Sequence, residues 1–427
     1  MQKSSYYRYY VLGMLTLVST INIADRLVVS ILLEDIKAEF ALSDAQVGIL
    51  AGLAFSLFYA FMGIPIARLA DKTNRKNIIS AALVIWSTMM ALCGAAVGFV
   101  TFFLARVGVG IGEAGGSPPS FSIIGDYFKP REMTRAMSIF ITGGVFGTAG
   151  GLMLGGLLAD AIGWRLTFVA MGLPGILVGI FFYFTVKEPV RGQNEKVDEG
   201  SGINASIIDT LKSLLGNKVY VRAVIAFSLL TSIGFAIAIW LAPIMIRNYD
   251  VSLTKVGLYL GSGFLVAGIP GPIIGGLIVD RLVKKNQNWY IWFVVIAIIL
   301  CLTLYYFSLT AFAFYAFISL FVIGYFCFML PQGAALAIIQ NSVSSGERAL
   351  AFGFVLLFTN IVGMAIGPFV IGLISDKLAS EYGARSMNYA VVSFCIFAGL
   401  TACFFYFLTA AAMRKSGDLN DLSEVRS

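Results

Sequence analysis

The sequence predicts an all-α membrane protein: twelve transmembrane helices in two six-helix bundles related by pseudo-twofold symmetry. Three observations point there. Of the 427 residues, 59% are hydrophobic and only 12% charged, against roughly 25% charged in a soluble domain. Apolar runs of the ~20 residues that a helix needs to cross a hydrocarbon core recur along the whole chain. A short helix ending with a terminal aspartate recurs at matching places in the two halves of the chain.

The predicted spans lie near 9–33, 46–69, 77–98, 101–127, 134–159 and 164–187, then 219–247, 252–279, 289–309, 311–340, 347–375 and 387–412. The first follows Lys3 and Arg8, yet it is longer than a signal-peptide core and others follow it, so it reads as an uncleaved first helix. Basic residues set the orientation. With the N-terminus in the cytoplasm, only Lys37, Arg165, Arg247, Lys255, Lys377 and Arg385 fall in outer loops; Arg26 and Arg106 lie inside spans, and every other Lys and Arg is on the inner side. Both termini are therefore expected in the cytoplasm, in a cell (inner or plasma) membrane. The same bias accounts for the net charge of +7 without nucleic acid.

The five cysteines fall within predicted helices with no metal-ligand spacing, so neither a disulfide framework nor a metal site is expected. Histidine is absent, and any proton chemistry must use carboxylates. "GIGEAG", Gly110 to Gly115, formally matches a dinucleotide fingerprint. It lies inside an apolar helix rather than after a strand, which excludes that reading; no cofactor and no enzymatic activity are expected. Small residues there, and Gly143, Gly144, Gly147, Gly151 and Gly155 in the fifth span, allow close backbone approach. Pro118 and Pro119 are expected to kink the fourth.

The long polar connection "KEPVRGQNEKVDEGSGINAS", Lys187 to Ser206, divides six spans from six. Behind it, "IIDTLKSLLGN" reads as a short amphipathic surface helix with Ile207, Ile208, Leu211, Leu214 and Leu215 on its apolar face. The expected organisation is a bundle over 1–188, a cytoplasmic linker over 189–216, a second bundle over 217–416 and a cytoplasmic tail over 417–427. Spans two, five, eight and eleven end in "ARLAD", "GLLAD", "GLIVD" and "GLISD", at Asp71, Asp160, Asp280 and Asp376. Spans two and five run in opposite directions, so each half contains an inverted pair, the architecture of a secondary transporter.

Charge inside the apolar spans marks the candidate site. "TINIADRLVVS" places Asp25 and Arg26 together, and "LARVGVGIGEAGGSPPS" places Arg106 and Glu113 seven apart on one helix face. A charge in hydrocarbon is costly, so these four are expected to face protein interior or a watery cavity. If spans one and four face each other, Asp25 reaches Arg106 and Arg26 reaches Glu113. The competing reading is that buried ion pairs merely fix helix packing. The second half holds no comparable buried charge; it offers Thr231, Ser232, Trp240, Tyr325, Cys327, Gln332 and Asn360 among apolar residues, an oily wall suited to the tail of an amphipath whose headgroup lies on the charged side. At the cytoplasmic side, "ADKTNRKN" and "GDYFKPRE" read as a conformational latch of Asp71, Arg75 and Asp126, to which the repeat adds Asp280.

With these motifs in place the chain resembles the major facilitator superfamily: "ARLADKTNRKN" is similar to its loop signature between helices two and three. "INIADRL", "ARVGVGIGEA" and "IIGDYF" resemble the spinster branch, whose animal members move sphingosine phosphate and lysophospholipids. The resemblance implies Asp25 and Glu113 as proton-coupling residues, and Arg26 and Arg106, with Asn22 of the same stretch, as substrate-binding residues. The reading is a monomeric, alternating-access, proton-coupled carrier of an anionic or zwitterionic lipid-like solute, surrounded by membrane lipid. The alternatives are a carrier of small organic or sugar acids, a multidrug exporter, and a receptor that binds without transport.

Overall fold

The computed structural model describes residues 5–191, 207–344 and 347–416, and the regular structure over these residues is entirely helical. A backbone in hydrocarbon must satisfy its own N–H and C=O groups, and a helix does so within one segment.

Helix α1 (Ser5–Phe40) turns at Ala41, where φ is 50°, into Ser43, whose side chain caps the next helix in a reciprocal box with Gln46. The span α2 (Asp44–Lys72) contains one widened turn at Ile49–Leu53. Asn74 caps α3 (Arg75–Gly94) by accepting from the Asn77 N–H. The span α4 (Phe99–Tyr127) is interrupted at 114–116, between Phe99–Glu113 and Ser117–Tyr127. Pro118 and Pro119 open the second segment within its first turn instead of kinking a continuous helix, because there their missing N–H groups are not needed.

A 56-residue stretch, Pro130–Thr185, follows. A straight helix of that length would be about 84 Å long, far beyond a bilayer core of about 30 Å. Gly163 breaks it with φ 77°, a conformation that only glycine adopts cheaply, giving α5 (130–162) and α6 (164–185). The surface helix α7 (Ile207–Gly216) precedes α8 (Lys218–Tyr249), α9 (Leu253–Val283), α10 (Trp289–Thr310) and α11 (Phe314–Asn341). Then α12 (348–382) carries a second widened turn at Thr359–Ile366, and the tight turn Gly383–Arg385 separates it from α13 (Ser386–Ser416). Two of the ten continuous apolar stretches are thus double-length, and their breaks resolve them into the twelve expected spans. The tail 417–427, most of the polar connection, and the side chains of Ile207 and Ile208 lie outside what is described.

Two compact units result. The first comprises 5–191 together with 238–265 and 368–376; the second comprises 207–237, 266–344, 347–367 and 377–416. In the first unit α1 runs along α5 with backbones nearly touching. A Cβ added at Gly143 would stand 2.6 Å from the Thr16 carbonyl oxygen, and one at Gly151 would stand 2.6 Å from that of Ala24. Gly172 likewise meets the Ser87 carbonyl, at 2.5 Å, where α6 crosses α3. The glycines of "GIGEAG" serve the same end: a Cβ at Gly112 would lie 2.8 Å from the backbone nitrogen of Trp86, bringing α4 onto α3.

In the second unit a column of rings, Tyr305, Phe321, Tyr325 and Phe328, stacks at centroid separations of 6.1, 6.0 and 5.8 Å. The polar groups that the sequence offers there are spent on their own helices. The Thr231 hydroxyl donates to the Phe227 carbonyl, Ser232 to Leu229, the Gln332 amide to Phe328 and that of Asn360 to Leu356. What these helices present outward is correspondingly apolar. Cys327 is buried beside this column, and Trp240, in the first unit, is buried with its indole N–H donating to the Pro368 carbonyl.

Candidate functional site

The first unit brings α1 and α4 together at the charges. Arg26 Nε donates to Glu113 Oε2 at 2.5 Å, with Glu113 fully buried and Arg26 12% exposed. The guanidinium of Arg26 lies over two rings of α2, 4.7 Å from the Phe55 centroid and 4.6 Å from that of Tyr59. Phe55 also faces Arg106, at 5.2 Å. One ring therefore stands against both arginines and offers each a π-face, which attracts a cation that has little water around it.

Asp25 and Arg106 do not form the second ion pair expected from their spacing. Asp25 Oδ2 instead accepts from the indole N–H of Trp86 at 3.2 Å, and Arg106 Nε donates to the Leu50 carbonyl at 3.4 Å, inside the widened turn of α2. The physical reason is competition from neighbours that sequence spacing does not reveal. Trp86 occupies the space beside Asp25, and a turn with shifted backbone bonds supplies Arg106 with a carbonyl acceptor. Both side chains are buried, and Asp25 Oδ1 and Arg106 Nη1 have no hydrogen-bond partner among the described residues. The same holds for Glu113 Oε1 and for the amide nitrogen of Asn22, which sits beside Glu113.

This cluster therefore contains two anions, two cations and an amide, with one charged bond closed and several polar atoms still able to bond. Unpartnered buried polar groups on that scale ask for a functional explanation. Sequence reading missed Trp86, Phe55 and Tyr59, since aromatics in apolar helices carry no distinguishing signal of their own.

At the face where α1 begins, Arg75 is buried and binds three groups: the Asp126 carboxylate at 2.6 Å, Glu188 at 2.7 Å and the Ser122 hydroxyl at 2.7 Å. Glu188 also accepts from the Lys76 N–H. Asp71 does not join this latch. Its side chain is exposed at the end of α2, and its contribution is a backbone carbonyl that, with those of Ala70 and Thr73, accepts from Arg191. Asp280 lies in the second unit, exposed near the end of α9. Glu188 and Arg191, written off as connection, replace Asp71.

At the opposite face two of the repeated aspartates act as helix caps. Asp160 accepts from the N–H groups of Leu253 and Thr254, at 3.2 and 2.8 Å, and Asp376 from those of Asp44 and Ala45, at 2.8 and 2.9 Å. A carboxylate at a helix start meets unpaired N–H groups and the positive end of the helix dipole. That explains why the chain repeats an aspartate there.

A Major Facilitator Superfamily profile matches residues 15–368. An MFS-type efflux pump of Mycolicibacterium smegmatis is 29% identical over 94% of this chain and 92% of its own length. The sphingosine-1-phosphate transporter SPNS2 of Danio rerio is 27% identical over 93% of this chain and 83% of its own. The crystal structure of a bacterial homolog of the human lysosomal transporter Spinster, inward-facing and unoccupied, superposes with a TM-score of 0.88 at 28% identity, covering 97% of this chain and 99% of that one.

Proposed function

The chain belongs to the Major Facilitator Superfamily, in its spinster branch, and is a multi-pass membrane transporter; we propose that it is an alternating-access, proton-coupled carrier of an amphipathic anionic or zwitterionic solute of the lysophospholipid or sphingosine-phosphate type. The observation that carries the reading is the buried Arg26–Glu113 pair beside Asp25 and the incompletely bonded Arg106. A carboxylate out of water is held in its charged form by its arginine; when the pair opens, the neutral acid becomes the cheaper form. Protonation of Glu113 frees Arg26, and a phosphate or carboxylate headgroup then takes the guanidinium through paired charge-assisted bonds.

Asp25, held by a single indole donor, is the second proton acceptor, and its free oxygen faces the bonding demand of the cluster. Asn22 and Arg106 complete the headgroup contacts. The apolar second-unit helices, whose hydroxyls and amides turn back on their own backbones, suit a hydrocarbon tail. The similarity to a sphingosine-1-phosphate transporter supports the same class of solute. Proton and headgroup shift the conformational equilibrium only by their difference in affinity for its two states.

Flux in purified proteoliposomes tests this, using lysophospholipids of increasing acyl length and a panel of sugar and organic acids, with and without an imposed proton gradient. The expected result is gradient-dependent uptake that grows with acyl length. Uptake of short acids with no chain-length dependence assigns the carrier to organic acids instead. Ligand binding without flux assigns it to reception.

A further inference from the structure

The charge clusters at the two faces differ in kind. At the face where α1 begins, the ion pairs Arg8–Glu132, Arg75–Asp126 and Arg75–Glu188 each join two residues that precede the polar connection. At the opposite face, Arg247 of α8 joins Glu34 of α1 and Asp44 of α2, residues 213 and 203 positions away. Arg247 is engaged on every donor side. Nε and Nη2 donate to the two Glu34 oxygens at 2.9 and 2.7 Å, and Nη1 and Nη2 to the two Asp44 oxygens at 2.9 and 2.6 Å. Asp44 also accepts from Lys37 at 2.5 Å and from the Ser375 hydroxyl at 2.7 Å.

We propose that Arg247 is a gating residue of the transport cycle: its double fork to Glu34 and Asp44 locks the far ends of α8, α1 and α2 together, and the lock opens and recloses once per turnover. The proposal rests on the alternating-access reading and is independent of which solute or ion is carried.

Three features argue for a lock over a permanent strut. A buried ion pair stabilises a fold poorly compared with apolar packing, because desolvation offsets its attraction, so its value lies in specifying one arrangement. The network carries two cations, Arg247 and Lys37, against the two carboxylates Glu34 and Asp44, so each partner keeps a counter-charge and becomes water-soluble when separated. The segments it joins are also held by contacts that separate without breaking a chain: the two aspartate caps, and close glycine crossings in which Gly372 meets the Asp44 carbonyl and Gly257 the Leu152 carbonyl. A bistable element of this type has two discrete arrangements and is biased by whichever contacts each one makes.

Cysteines introduced as Val97→Cys and Lys255→Cys, both exposed, carry nitroxide labels, while the five native cysteines are buried. The distance distribution between the labels is read by pulsed electron resonance in nanodiscs. The lock predicts one dominant population in the labelled parent. In Arg247→Ala a second, longer-distance population should be at least tenfold larger than in the parent, and in Glu34→Gln it should be present but smaller. A distribution unchanged in Arg247→Ala overturns the proposal, as does one unchanged in Glu34→Gln should Arg247→Ala fail to fold. The readout is a distance, so loss of proton coupling or a different solute in the flux experiment leaves it standing.

Discussion

Removing either partner of the Arg26–Glu113 pair should destabilise the protein, whereas removing both should not. The pair is 2.5 Å long with Glu113 fully buried. Losing one member of such a pair costs about 3–5 kcal/mol, because the remaining charge is left without compensation. Glu113→Leu leaves Arg26, which does not shed its proton, but the rings of Phe55 and Tyr59 at 4.7 and 4.6 Å still face it. Each such contact is worth about 0.5–2 kcal/mol, which places this variant near the lower end of the range.

Arg26→Met strands an acceptor-only carboxylate whose second oxygen is already unpartnered, which places it near the upper end. The double variant exchanges the pair for apolar groups of similar volume, a change that is typically neutral or stabilising by about 1–4 kcal/mol. A double-mutant cycle should therefore show a coupling of several kcal/mol. Denaturant titration in mixed micelles, followed by the fluorescence of the buried Trp86 next to this cluster, measures it. Strictly additive penalties would refute the reasoning, because they would mean that the two groups do not depend on each other.

The other predictions concern neighbours of the pair. Trp86→Phe removes the donor to Asp25 while keeping the ring. A hydrogen bond to a charged group is worth about 1.5–3 kcal/mol, so a tenfold or greater change in the rate of gradient-driven uptake is expected, with solute exchange at equal pH little affected. Gly151→Leu should abolish folding or transport, since even a Cβ there stands 2.6 Å from the Ala24 carbonyl; native yield and a normal melting temperature would show that α1 and α5 can separate at little cost. Arg106→Ala should weaken binding of anionic solutes at least tenfold more than that of neutral analogues, measured by competition, and equal weakening of both would assign Arg106 to packing.

The sequence made the spans legible because hydrocarbon leaves a chain few options, and a 20-residue apolar run has one regular solution. Asp25, Arg26, Arg106 and Glu113 were legible for the same reason: charge in such a run is too costly to be incidental. Which of them pair was only half legible. Spacing along α1 and α4 brings Arg26 to Glu113, whereas the fate of Asp25 and Arg106 depends on Trp86 of α3 and a widened turn in α2, neither of which has a periodic signature.

Arg247, Glu34 and Asp44 stayed hidden because charges near helix ends are ordinary, and nothing local links residues 203 and 213 apart. The repeated aspartates were visible as a pattern and invisible in purpose. Only the placement of Asp160 and Asp376 over N–H groups of other helices shows that they cap. Asp71 was assigned to the latch by its neighbourhood in the sequence, yet the buried Arg75 turns to Asp126 and Glu188.

Exchange of a proton for an arginine at the buried pair is the step on which transport depends, and one measurement meets it directly: accumulation of solute by proteoliposomes under an imposed pH gradient, for Asp25→Asn and Glu113→Gln beside the parent. The account predicts folded variants that still exchange solute across the membrane but no longer concentrate it when the gradient is applied. Accumulation equal to the parent's in both variants would contradict it.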